Sequence, residues 1–246
     1  MMQPLRDLRV ALGFLTRIPV GDVGGGKPVE LARAVPWFPL VGLLVGLAHG
    51  GAWRGLAEVT TPFVAAACAT ALALLITGAF HHDGLADIAD AFGGGWTVEQ
   101  RFEILKDSRL GTYGTAALAS AIVIEVGAVA SLEPRDGFLA LVGAHGVGRA
   151  MAVLTMVVAP IAGDGLGASY VTDLSWPWAV MGSAVALAVA AVVSPVLFVW
   201  PLVGAAVAAA LVIALSIRKI GGVTGDVLGA ITVLAALAAL VVTTAV

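Results

Sequence analysis

Apolar residues in this chain are gathered into long runs. Seven stretches, near 35–53, 62–80, 112–131, 138–160, 176–193, 196–217 and 227–246, are almost wholly apolar. A helix crosses a hydrocarbon core with about 20 such residues. The pattern predicts an all-α polytopic membrane bundle of about seven transmembrane helices. Only Ser194-Pro195 divides the fifth run from the sixth, which predicts a tight hairpin there. Gly and Ala are frequent within the runs, and small residues let membrane helices approach closely. Before the first run, Leu5, Leu8, Leu12 and Leu15 recur at helical spacing and predict an amphipathic surface helix. Arg6, Asp7, Arg9 and Arg17 interrupt that segment, so it does not read as a cleavable signal. No repeat or low-complexity linker divides the chain. Residues 1–246 read as a single membrane-embedded domain, with an N-terminal cytoplasmic segment at 1–34 and one long polar loop at 81–111.

Composition agrees. Hydrophobic residues make up 60% of the 246, charged residues 12%, and mean hydropathy is +1.02. The net charge of −3 speaks against nucleic acid as a partner, which calls for a basic face. The lone Cys68 lies in an apolar run and reads as a small apolar residue. Of the 13 Lys and Arg residues, only Arg149 falls inside a run. With the N terminus in the cytoplasm, ten of the others lie on that side and only Arg54 and Arg135 on the opposite one. This positive-inside bias predicts a multi-pass protein of the cytoplasmic (inner) membrane. The same orientation gathers the N-terminal segment, the 81–111 loop, Gly163-Asp164-Gly165-Leu166-Gly167 and Gly221–Asp226 at the cytoplasmic face.

The 81–111 loop holds most of the polar chemistry. Asp83, Asp87 and Asp90 are spaced i, i+4, i+7, which places them on one face of a helix continuing from the second run. Clustered carboxylates suit a hard cation, Mg²⁺ or Mn²⁺. Gly84 disfavours a helix interior, so a break is expected beside Asp83. His81 and His82 titrate near neutrality and suit proton transfer or phosphate binding. Gly93-Gly94-Gly95 is expected to end that helix, and Thr97 with Gln100 forms a capping box for the next. Lys106, Asp107, Ser108, Arg109, Gly111, Thr112 and Gly114 then combine cations, hydroxyls and free backbone N–H groups ahead of the third run. That set fits a phosphate or pyrophosphate, or alternatively a basic lipid anchor. Asp226 precedes the last run as either a fourth carboxylate or an N-cap. Within the runs lie His49, Glu125, His145 and Arg149, and intramembrane charge is functional by default. Arg149 either neutralises a phosphate or pairs with Glu125.

Five stretches together resemble the cobalamin synthase (adenosylcobinamide-GDP ribazoletransferase) family. They are Phe14–Pro19, Trp37–Gly42, Thr77–Asp90, Lys106–Gly114 and Gly222–Ala230, in the family's order and spread across the chain. The resemblance implies a transferase of cobalamin biosynthesis. The ribose 3′-hydroxyl of α-ribazole, or of α-ribazole 5′-phosphate, attacks adenosylcobinamide-GDP and displaces GMP. It implies Mg²⁺ as cofactor, Asp83, Asp87 and Asp90 as its ligands, and His81 or one of these carboxylates as base. Arg17, Lys106 and Arg109 would hold phosphates. Asp107, Ser108, Gly111, Arg149 and Asp226 complete the expected substrate contacts, and other corrinoid-pathway enzymes are possible partners. Two features depart from the family: no acid follows Asp226 in Ala230–Ala235, and His82 stands where an apolar residue is usual.

Two rivals fit less well. A CDP-alcohol phosphotransferase calls for Asp-Gly-x-x-Ala-Arg, but here Ala86 comes one position early and Asp87 follows it. A secondary transporter calls for broken or acidic sites at mid-bilayer, whereas these acids gather in one loop.

Overall fold

The computed structural model describes residues 3–21, 28–163, 174–193 and 199–246. They form α1 (Gln3–Leu15), α2 (Pro28–Ala34), α3 (Phe38–Ala57), α4 (Pro62–Thr77), α5 (Phe80–Gly94), α6 (Val98–Leu105), α7 (Thr112–Ala130), α8 (Pro134–Val158), α9 (Trp176–Val193), α10 (Val199–Ile220) and α11 (Gly225–Thr243). A 3₁₀ turn, Val35–Trp37, joins α2 to α3. Proline stands in the first two positions of α3, α4 and α8, where a missing N–H breaks no helical bond. The all-α membrane bundle is as the sequence predicts. A helix stands at each of the seven runs. Among the described residues, five spans are long and apolar enough to cross a membrane, and the bent pair α4–α5 makes a sixth if it counts as one span. Trp176–Val192 is apolar but shorter. The expected hairpin at Ser194-Pro195, the positions Asp164–Gly167, and residues Gly24–Gly26 and Lys27 lie outside the described residues.

Helices α8 and α11 form the middle of the bundle. α8 packs on α3, α9 and α11, while α11 also meets α5, α7 and α10. Both carry apolar residues around most of their circumference, as helices buried on all sides do. Lipid tails are as apolar as leucine, so close van der Waals contact must hold such helices together. Gly42, Gly46 and Gly50 supply it as a one-sided stripe on α3. A Cβ at Gly46 would lie 2.7 Å from Val142 Cα, and one at Gly42 would run into the His145 carbonyl oxygen. Gly148 of α8 likewise fits against the Thr232 carbonyl of α11. Cys68 is exposed on the apolar α4.

The break in the second run is not where Gly84 suggested. α4 and α5 meet at 91°, with Gly78 (φ +61°) and Ala79 (φ +55°) both left-handed. Ala79 pays about 1–2 kcal/mol for that conformation. Its N–H donates to the Leu74 carbonyl (2.9 Å) and that of Gly78 to Leu75 (3.3 Å), while Arg17 N–H closes on Ile76 (2.7 Å). The acidic helix is therefore a separate element that turns away from the span. Gly84 sits inside it for a packing reason: a Cβ there would lie 2.8 Å from the Asp226 carbonyl oxygen.

A short parallel bridge links Ile161 to Val223. Ala162 N–H donates to the Val223 carbonyl (2.9 Å), and Val223 N–H to the Pro160 carbonyl (2.8 Å). It ties the end of α8 to the start of α11, beside α5. Gly46→Val should lower the melting temperature of the detergent-purified protein, since overpacking costs about 1–3 kcal/mol. Gly51→Ala, whose Cβ meets nothing within 4 Å, should melt no lower than the unaltered protein.

Candidate active site

Where α4 turns into α5, a cavity of about 780 Å³ opens at the end of the bundle. Small-ligand sites usually measure about 300–1,000 Å³. Phe14 and Leu15, His81 and Asp83, Lys106, Arg149, Gly163 and Thr224–Asp226 all line it. The segments that the sequence predicted to converge therefore do converge at one place.

The three predicted metal ligands separate into different roles. Asp83 is exposed and lines the cavity. Asp87, one turn on and half-buried, lies within electrostatic reach of Asp83, Asp226 and Asp90. Asp90 points elsewhere: its carboxylate accepts the N–H of Gly111 (2.7 Å) and that of Gly114 (2.9 Å). It caps α7 from across the loop. The expected anion cradle at Gly111–Gly114 is thus filled by the protein's own carboxylate.

The rest of that loop is divided too. Arg109 donates to both carboxylate oxygens of Asp107, the closest contact being 2.6 Å, and its side chain is 88% exposed. Its guanidinium and N–H hold the Asp107 carboxyl down to about 2. Ser108 is exposed, and neither it nor Arg109 faces the cavity. Lys106 is the one cation of the loop among the cavity's lining residues.

Asp226 is not the cap of α11. Thr224 is: its hydroxyl accepts the Val227 N–H at 3.3 Å. That leaves the Asp226 carboxylate, half-buried, in the cavity wall. Arg149 is 3% exposed, and its Nη1 donates to the His145 carbonyl at 3.1 Å. The same Nη1 lies 3.2 Å from His145 Nδ1. A guanidinium only donates, so that Nδ1 accepts. His145 Nε2 then carries the proton and donates to His49 Nδ1 at 3.1 Å. Glu125 accepts from the Thr70 hydroxyl (3.2 Å) and lies 3.8 Å from His49. Arg149 therefore does not pair with Glu125, and its Nε has no partner. A buried cation left without a carboxylate favours an anion beside it.

This polar chain and the Asp90 cap were not read from the sequence. The intramembrane residues could be singled out, but their pairing depends on helix rotation.

Among the described residues, no three His, Cys, Asp or Glu side chains converge as a metal cage would require. Mg²⁺ seldom uses such a cage; it takes one or two carboxylates, substrate phosphates and water. Asp83 and Asp226 stand in one cavity wall and form no ion pair among the described residues, Asp226 accepting only the Thr224 hydroxyl at 3.5 Å, and they fit that donor set. Asp90 fits it least, because both its oxygens are engaged. Asp90→Ala should lower the melting temperature, by the roughly 0.5–2 kcal/mol that a lost cap costs. Asp90→Asn, which keeps one acceptor oxygen, should recover part of the loss.

The family model described as cobalamin-5-phosphate synthase matches residues 7–244. Several relatives named adenosylcobinamide-GDP ribazoletransferase match over most of their length. That of Bradyrhizobium diazoefficiens is 38% identical over 229 residues, covering 92% of this chain and 88% of its own. The Ralstonia pickettii protein is 38% identical over 236 residues, covering 93% and 92%. The one from Pseudomonas paraeruginosa is 37% identical over 248 residues, covering 98% of each. No solved structure matches.

Proposed function

Because the chain belongs to the cobalamin-5-phosphate synthase family and is an adenosylcobinamide-GDP ribazoletransferase by that membership, we propose how it works and on which substrates. It joins adenosylcobinamide-GDP to α-ribazole or α-ribazole 5′-phosphate and releases GMP. The match over residues 7–244 carries the reading, and the cavity supplies chemistry that suits it.

The ribose 3′-hydroxyl attacks the phosphorus nearer the corrinoid. A new O–P bond forms there, the P–O–P bridge breaks, and GMP leaves with the bridging oxygen. The hydroxyl proton goes to His81 or to Asp83, both in the cavity wall. Lys106 and Arg149 bind the pyrophosphate and offset charge that grows on the leaving phosphate. The buried His145–His49 pair holds Arg149 in position. Asp83 and Asp226 would hold Mg²⁺, with Asp87 reinforcing the local negative charge; the ion would supply charge neutralisation on the pyrophosphate. Arg109 would act at the rim, outside the cavity.

The positive-inside count supports a cytoplasmic-membrane location with the cavity facing the cytoplasm. Residues 1–246 would then act as one transferase unit, taking its substrates from that side.

Purified protein in detergent should release GMP from adenosylcobinamide-GDP and α-ribazole 5′-phosphate only when Mg²⁺ is present. Chromatography should detect matching corrinoid product. Asp83→Asn should insert and express normally while losing about two orders of magnitude in turnover. Full activity in that variant would remove Asp83 from the site.

A further inference from the structure

A second cavity, of about 540 Å³, lies on the other side of the α4–α5 break. Phe14, Phe80 and Asp83 line both cavities. These three form the partition, and the two aromatic rings brace it edge to face at 5.2 Å. The neighbouring histidines divide between the compartments: His81 lines the larger and His82 the smaller.

The two linings differ in chemistry. The larger has two cations, Lys106 and Arg149, with the acids Glu99 and Asp226 besides the shared Asp83. The smaller has one, Arg17, beside the apolar side chains of Leu74, Leu118 and Ile122. The backbone of Arg17 is tied to the end of α4. Its N–H bonds to the Ile76 carbonyl at 2.7 Å, and its side chain lies across Gly78, where a Cβ would come within 3.0 Å of its Cγ. Its guanidinium is in an exposed residue and makes no ion pair among the described residues.

We infer that the smaller cavity is a separate acceptor site for an aromatic nucleoside monophosphate, with Arg17 on its phosphate and the base against Leu74, Leu118, Ile122 and Phe80. The inference rests on the transferase reading and adds the division of its two substrates. A pyrophosphate with a guanosine suits the compartment with two cations. A flat apolar base on a ribose with one phosphate monoester suits the compartment with one cation and an apolar wall. Asp83, shared by both, stands where the acceptor's hydroxyl meets the donor's phosphorus. Filling either compartment leaves the other open.

Binding to the purified protein in detergent tests this without turnover. The probes are α-ribazole, α-ribazole 5′-phosphate and GDP, followed by titration calorimetry. The unaltered protein should bind the phosphate form more tightly than α-ribazole, and saturating GDP should not displace it. Arg17→Ala should weaken the phosphate form by about tenfold or more, the loss of one charge-assisted contact. It should leave α-ribazole and GDP within about twofold. Arg17→Lys should restore part of the affinity. Ile122→Trp, which fills the smaller cavity, should weaken both ribazoles and spare GDP, whereas Lys106→Ala should do the reverse. Competition between GDP and α-ribazole 5′-phosphate, or an equal effect of Arg17→Ala on all three probes, would overturn the inference. If Arg17-dependent binding holds but no GMP forms with the full donor, the acceptor site stands and the transferase mechanism fails.

Discussion

A helix that ends leaves its last carbonyls without intrahelical donors, and something else must supply them. The second span stops at Thr77, and much else follows from how its end is closed. Gly78 and Ala79 turn left-handed and return their N–H groups to the preceding turn, while Arg17 closes on Ile76 from outside the helix. That closure sets the acidic helix at 91° to the span. It brings the N-terminal segment up against the break, and it leaves Asp83 between two cavities.

Charge is placed in this protein according to what can answer it. Asp90 is answered by two backbone amides and Asp107 by Arg109, so both hold structure. Asp83, Asp87 and Asp226 form no ion pair among the described residues, and neither do Lys106 and Arg149. Acids and bases that form no ion pair around one cavity make a poor resting arrangement unless a ligand brings the complementary charges. A pyrophosphate carried with a divalent cation brings both. The partners that the site lacks are thus the charges its substrate would supply.

The helical runs were legible because hydrocarbon thickness sets a length that hydropathy shows directly. The helical spacing of the three aspartates was legible from their period, but not that Asp90 is taken up by the Gly111 and Gly114 amides. The break was misplaced: Gly84 looks like an interruption, yet its missing side chain serves close packing against Asp226, while Ala79 gives no sign that it will turn left-handed. The Gly111–Gly114 amides looked free because their acceptor, Asp90, lies a whole helix earlier in the chain. Asp226 was ambiguous until Thr224 proved to be the cap. The choice for Arg149 turned on the rotation of α8 against α3 and α7, which no local pattern encodes.

Phosphate chemistry takes place, on this reading, in the cavity bounded by Asp83 and Asp226. The most direct test is the structure of the protein with Mn²⁺ and GDP, using the metal's anomalous signal to locate it. A metal peak is expected between the Asp83 and Asp226 carboxylates, with diphosphate density reaching Lys106 and Arg149. A metal held by Asp90, or a nucleotide bound at the exposed Asp107–Arg109 turn, would contradict this reading.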